Sequence, residues 1–94
     1  MYYLYILFSP SHQKTYVGQT QNLSSRVKTH NAGKVRSTKA FRPWSMIYSE
    51  EYVTRGEAMK REEWFKTRTG RKRVTEILAE KKIGGTGLSV TPPA

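Results

Sequence analysis

The chain opens on an uninterrupted apolar run, Tyr2-Tyr3-Leu4-Tyr5-Ile6-Leu7-Phe8, which ends in a polar stretch from Ser9 to Lys14 that contains a proline. The run is far too short to cross a bilayer, and it lacks the basic start and small-residue cleavage site of a signal peptide. A second short run, Thr15-Tyr16-Val17-Gly18-Gln19, follows the polar stretch. Two such runs around a polar loop predict a β-hairpin over residues 3–7 and 15–19. Alternation then puts Tyr3, Tyr5 and Leu7 on one face of the first strand and Leu4 and Ile6 on the other. On the second strand Tyr16 and Gly18 share a face, opposite Thr15 and Val17. Antiparallel pairing brings Tyr5 and Tyr16 to a common face, with Leu4, Ile6 and Val17 behind them. A slip of one residue in register would separate the two tyrosines.

Asn22 is a good helix N-cap and Gly33 a good stop one residue beyond a helix. Between them Leu23 and Val27 form a narrow apolar stripe. Arg26 and His30, four residues apart, stack on its flank and are expected at the rim of the core. Gly33 to Pro43 is a basic loop, and Trp44 to about Val53 supplies a third strand. Thr54-Arg55-Gly56-Glu57 matches a capping box opening a helix to about Thr69. Gly70 is expected to break that helix, and a further one, Arg71 to about Ile83, buries Val74, Ile77 and Leu78. From Gly84 the composition turns to Gly, Ser, Thr and Pro, as in a disordered tail over 84–94. The expected fold is α+β: one domain over 1–83, in the order β-β-α-β-α-α, with a small three-stranded antiparallel sheet flanked by helices.

Charge narrows the partner. Seventeen Lys and Arg stand against seven acids, a net charge of +10, and every acid is a glutamate. From Arg26 to Arg42 there are six basic residues and no acid. A field of that sign concentrates polyanions, nucleic acid above all, so Lys28, Lys34, Arg36, Lys39 and Arg42 are candidate phosphate contacts. With no cysteine there is neither a disulfide nor a thiolate metal site, which fits a reducing, cytoplasmic setting. His12 and His30 are too distant in sequence to suggest a zinc pair.

Glu62 is the most telling single residue. On a helical wheel with Ala58 at zero, Phe65 lies near about −20°, Glu62 near about +40° and Met59 near about +100°. Glu62 thus falls inside the apolar stripe, whereas Glu63 points away and Glu57 is accounted for by the capping box. A carboxylate on such a face needs a cation or donors. It is either half of a structural ion pair or a metal-binding or catalytic group. Read together, two strand tyrosines, an Arg and a His one helical turn apart, and this carboxylate compose a site for phosphodiester cleavage. That reaction needs an activator of the nucleophile, a clamp on the phosphoryl charge and help for the leaving oxygen.

The ordered set of segments resembles the GIY-YIG nuclease superfamily, in particular its small stand-alone members. Those segments are Leu4-Tyr5-Ile6-Leu7, Tyr16-Val17-Gly18, Asn22-Leu23, Arg26-Val27-Lys28-Thr29-His30-Asn31, Arg42-Pro43-Trp44 and Glu57 to Glu62. Tyr3 stands where the family name has its first glycine, and Val17 replaces the second isoleucine. The resemblance implies a three-stranded antiparallel sheet with helices and cleavage of DNA assisted by one divalent metal ion, Mg²⁺ or Mn²⁺. It assigns Tyr5 and Tyr16 to the two half-motifs, Arg26 and His30 to the helix, and Glu62 to the metal. A monomer suffices for this reading, and RNA remains open as a substrate. A nucleic-acid-binding module without chemistry, or a partner-dependent subunit, would share the charge and the aromatic residues.

Overall fold

The computed structural model describes residues 1–81. The strands are β1 (Tyr2–Ser9), β2 (Lys14–Thr20) and β3 (Ser45–Tyr52), and the helices are α1 (Leu23–Asn31), α2 (Arg55–Phe65) and α3 (Arg68–Glu80). A 3-10 turn over Lys39–Phe41 interrupts the loop before β3. The order β-β-α-β-α-α is the expected one. The expected tail over 84–94, and the end of the last predicted helix at Ile83, lie outside the described residues.

All pairings are antiparallel and the strand order is β2-β1-β3. The most apolar strand is therefore the central one, covered on both faces, which is why its sequence lacks polar alternation. Leu4, Ile6 and Phe8 join Val17, Ile47, Phe65, Val74, Ile77 and Leu78 in the larger core, beneath α2 and α3. Tyr5 and Leu7 face the other way and pack with Trp44, Tyr16, Leu23, Val27 and Phe41. A bulge in β3 opposite Ile6 and Leu7 lets the neighbours Ile47 and Tyr48 both turn to the larger core. Among the described residues no helix is long and apolar enough to cross a membrane.

Three local expectations are corrected. The helix expected to run to Thr69 ends at Phe65, and α3 begins at Arg68. Thr67 makes both ends: its hydroxyl donates to the Trp64 carbonyl at 2.6 Å and accepts from the Gly70 amide at 3.2 Å. Gly70 is therefore not a breaker. It lies buried in the first turn of α3, where the two helices meet too closely for a side chain. Met59, counted in the apolar stripe of α2, is 43% exposed. The inward positions of α2 are instead Ala58, Arg61, Glu62 and Phe65, with the Arg61 guanidinium stacked over the Trp64 and Phe65 rings.

That guanidinium also joins α2 to β3. Its Nε and Nη2 donate to the two Glu50 oxygens at 2.8 and 3.1 Å, and the Tyr48 and Tyr52 hydroxyls donate to the same carboxylate. Burial alone would raise the Glu50 pKa, but these four donors outweigh it and hold the carboxyl below its ordinary value. Burial, followed by the hydrogen bond to Glu50 and then its charge, pushes Tyr52 up to about 12. Glu50 is thus a saturated structural acid, and the clamp fixes the helix that carries Glu62.

Candidate active site

The hairpin register places Tyr5 opposite Gly18 and Leu7 opposite Tyr16. Tyr5 and Tyr16 are therefore diagonal neighbours on one face, with ring centroids 6.3 Å apart. Gly18 leaves room for the Tyr5 ring to lie across β2. A Cβ there would stand 2.6 Å from the Tyr5 hydroxyl and 2.8 Å from its Cζ.

Helix α1 brings two more groups to that hydroxyl. Its start is set by Asn22, whose side chain accepts from the Ser25 amide, and Gly33, at φ +80°, follows its end. One turn apart on the covered face, Arg26 Nε donates to the Tyr5 oxygen at 3.1 Å and His30 Nε2 lies 2.9 Å from it. His30 is fully buried rather than at the rim. The stripe of Leu23 and Val27 gives no hint of this, because the loop after α1 folds back and closes over the imidazole. Thr38 on that loop places its hydroxyl 2.8 Å from His30 Nδ1, and the Trp44 indole donates to the Thr38 carbonyl at 2.8 Å. Asn31 bonds both the amide and the carbonyl of Trp44. Asn31 and Trp44 lie in segments that carry the resemblance but receive no role from it, and nothing in the sequence pattern marks Thr38. A threonine in a basic loop carries no local signal of burial.

The electrostatics follow from this enclosure. Burial, and then the Arg26 charge, lower the His30 pKa to about 4. Burial also raises the Tyr5 phenol, and the hydrogen bond and charge of Arg26 only partly offset it. At neutral pH the site therefore holds a neutral phenol, a neutral imidazole and a charged guanidinium. Because His30 binds its proton less readily when folded, its contribution to stability is complete above about pH 6.5 and is lost progressively as the pH falls through about 4. Glu50, also depressed, adds its own loss only below its ordinary 4.5. We therefore expect the melting temperature to fall from pH 7.5 to 5, and a His30→Gln variant to show a flatter profile. An equally steep fall in the variant would refute the assignment to His30.

Glu62 comes from α2, which covers the other face of the sheet, and its charge is among those that raise the Tyr5 pKa. Its side chain is 24% exposed and pairs with Lys66 at 2.8 Å. An exposed i,i+4 pair is worth only about 0.3–0.5 kcal/mol, so Lys66 is easily displaced by a stronger cation. Among the described residues no group of three or more His, Cys, Asp or Glu is placed to hold a metal ion. A protein cage of the zinc type is therefore a poor fit. A lone carboxylate does fit a hard cation that keeps its waters and takes its remaining ligands from a substrate phosphate.

Solvent reaches the cluster beside Arg26, through a cleft of about 220 Å³ that also borders Gln19 and Arg55. A cleft of about 430 Å³ lies at the β2 edge between Val17, Phe65, Lys66 and Val74, on the larger-core side. Lys28, Lys34, Arg36, Lys39 and Arg42 are all exposed on α1 and the loop after it. Arg42 also braces this loop, since its Nε donates to the Lys39 carbonyl at 2.8 Å and its guanidinium lies against Gly33. His12 is exposed, as expected, and packs its edge on Phe41.

Residues 1–75 match the GIY-YIG catalytic domain. The chain is 44% identical over 68 residues to the UPF0213 protein YazA of Bacillus subtilis, which covers 71% of this chain and 67% of that protein. It is 36% identical over 93 residues to a UPF0213 protein of Bacillus velezensis, covering 98% and 92%. The solution NMR structure of a UPF0213 protein from Bacillus halodurans is similar to it with a TM-score of 0.51 at 26% identity, covering 97% of this chain and 100% of that one.

Proposed function

The chain belongs to the GIY-YIG family of catalytic domains, a nuclease family, and from that premise we propose that it is a divalent-metal-dependent endonuclease hydrolysing DNA phosphodiester bonds in the cytoplasm. The observation that supports this most is the Tyr5 hydroxyl, held between the Arg26 guanidinium and the His30 imidazole and acted on by the Glu62 charge.

Arg26 covers the Tyr5 oxygen and is half-buried at the mouth of the smaller cleft. Drawn to a substrate phosphate, it stabilises the charge that builds on the phosphoryl oxygens and uncovers the phenol. The attacking water gives a proton to the Tyr5 oxygen as Tyr5 passes its own to His30 Nε2. The phenol thus acts as a relay and need not exist as a free phenolate. Tyr16, half-buried beside Tyr5, orients the water or the phosphate from the solvent side. Glu62 would hold one Mg²⁺ or Mn²⁺, which when bound would supply positive charge for the leaving oxygen. Lys28, Lys34, Arg36 and Lys39 grip the DNA backbone, with Arg42 bracing their loop.

The test is incubation of the full chain with supercoiled plasmid and with branched DNA, in Mg²⁺, Mn²⁺ or EDTA, beside Glu62→Gln. Cutting is expected only with metal. The variant should be slower by about 100-fold, since an amide oxygen still binds a hard cation but carries no charge. DNA binding without cutting by the wild type would replace this reading by a binding module of the same fold. Equal cutting by the variant would remove Glu62 from the site.

A further inference from the structure

We propose that Thr38 is a positioning residue of this site: its hydroxyl holds His30 in the tautomer with the hydrogen on Nδ1, so that Nε2 offers its lone pair to the Tyr5 hydroxyl. The relay role rests on the reading above; the tautomer is inferred from the hydrogen-bond partners of the two ring nitrogens.

The hydrogen-bond directions are a chain of one-way choices. The Thr38 hydroxyl lies 2.8 Å from His30 Nδ1 and 3.3 Å from the Val35 carbonyl, which can only accept and so offers its hydrogen a place. With the hydrogen so placed, the Thr38 oxygen offers a lone pair to His30 Nδ1, and we infer that Nδ1 carries the hydrogen. A neutral imidazole has one N–H, so Nε2 is the acceptor, and the Tyr5 hydroxyl donates to it across 2.9 Å. The Tyr5 oxygen is left free to accept from Arg26 Nε. Every donor in the series has one acceptor, and the polarity runs from Arg26 through Tyr5, His30 and Thr38 to Val35.

The opposite tautomer would undo the site. Nε2–H would point at the Tyr5 oxygen beside the Arg26 donor, and Tyr5 would have no base on His30. Thr38 would have to turn from the Val35 carbonyl to Nδ1. The backbone keeps Thr38 in place: its amide donates to Val35, and its carbonyl accepts from the Phe41 amide at 3.1 Å and from the Trp44 indole. The residue is 1% exposed, so water does not compete for its hydroxyl. The loop that the sequence presents only as a basic surface thus also carries the group that orients the imidazole.

The experiment uses full-length protein labelled with ¹⁵N at histidine. Long-range ¹H–¹⁵N correlations at pH 7 report which ring nitrogen of His30 is protonated. Wild type is expected to show Nδ1 protonated and Nε2 bare, and Thr38→Ser the same. Thr38→Val keeps the shape but removes the acceptor, and should move His30 toward the Nε2–H form. Its metal-dependent cutting should fall by about 10- to 100-fold, as losses of orienting partners do, with Thr38→Ser restoring it. Wild-type His30 found as Nε2–H overturns the proposal without any variant, and so does an unchanged tautomer in folded Thr38→Val. The expected tautomers together with no cutting by wild type would overturn the nuclease reading and leave the tautomer assignment standing.

Discussion

Alanine at Gly70 is expected to lower the melting temperature by about 10–25 °C. A Cβ at this position would lie 2.1 Å from the Trp64 carbonyl oxygen, 2.4 Å from the Phe65 Cα and 2.7 Å from its carbonyl carbon. All three are backbone atoms, so no side-chain rotation relieves the overlap. Either α3 moves away from the end of α2, or its first turn unwinds and loses the Thr67 cap. Both responses disturb Phe65, Val74, Ile77 and Leu78, which meet in the larger core. Overpacking typically costs about 1–3 kcal/mol, and unyielding backbone places this case at or above the upper end. The better helix propensity of alanine returns about 1 kcal/mol. A net loss of about 3 kcal/mol is a large part of the stability of so small a domain, and each kcal/mol shifts the melting point by about 4–8 °C. Gly56→Ala is the control. Gly56 also lies in the first turn of its helix, but its Cβ would meet nothing within 4 Å, so there the change should be neutral or stabilising by up to about 1 kcal/mol. Calorimetry of the two variants decides the matter, and equal melting points would disprove the close-contact explanation.

The same glycine shows where sequence reasoning stops. A glycine between two helical patterns looks like a breaker because local propensity is all that a single sequence displays. Its reason for being glycine is a neighbour that only folding supplies. The hairpin was legible because alternation and loop length are local, and its register put Tyr5 beside Gly18 and brought Tyr16 to the same face. The capping box at Thr54 and Glu57 was legible for the same reason, and both of its bonds are present. Glu62 was placed inward by helical spacing, although its neighbour there is Arg61 rather than Met59. His30 was placed on the correct helix and beside the correct arginine, but its burial depends on Thr38 and Trp44, which come from a loop without periodicity. The clamp between Glu50 and Arg61 was invisible for a related reason: an acid and a base eleven positions apart meet only once β3 and α2 have packed.

Tyr5→Phe is expected to reduce metal-dependent cutting by about 1,000-fold while leaving a folded protein. The two tyrosines of the site divide the attributes of a general base. Tyr16 is half-buried where Tyr5 is fully buried, so water meets it first. Tyr5 is 1% exposed, but it alone of the two makes a hydrogen bond to the His30 nitrogen that can take its proton. Exposure can be gained when a phosphate draws Arg26 aside. A neutral imidazole at hydrogen-bond distance, with its tautomer already set, cannot be improvised. The phenol in resting protein stays above its ordinary 10 and the imidazole near 4, so transfer between them occurs only in concert with attack on phosphorus. General acid–base groups contribute about 10²–10⁴-fold, and loss of the one oxygen shared by Arg26 and His30 belongs in the middle of that range. Phenylalanine keeps the ring against Leu7 and Trp44, so the structural cost is about 1–2 kcal/mol for the hydrogen bonds left unmade at His30 and Arg26. Tyr16→Phe should keep the relay intact and cost about tenfold or less. Single-turnover rates at saturating Mn²⁺ and DNA separate the two cases from changes in binding. If Tyr16→Phe proves the more damaging, proton acceptance passes to the exposed tyrosine, and the buried trio of Arg26, Tyr5 and His30 becomes the support that holds it.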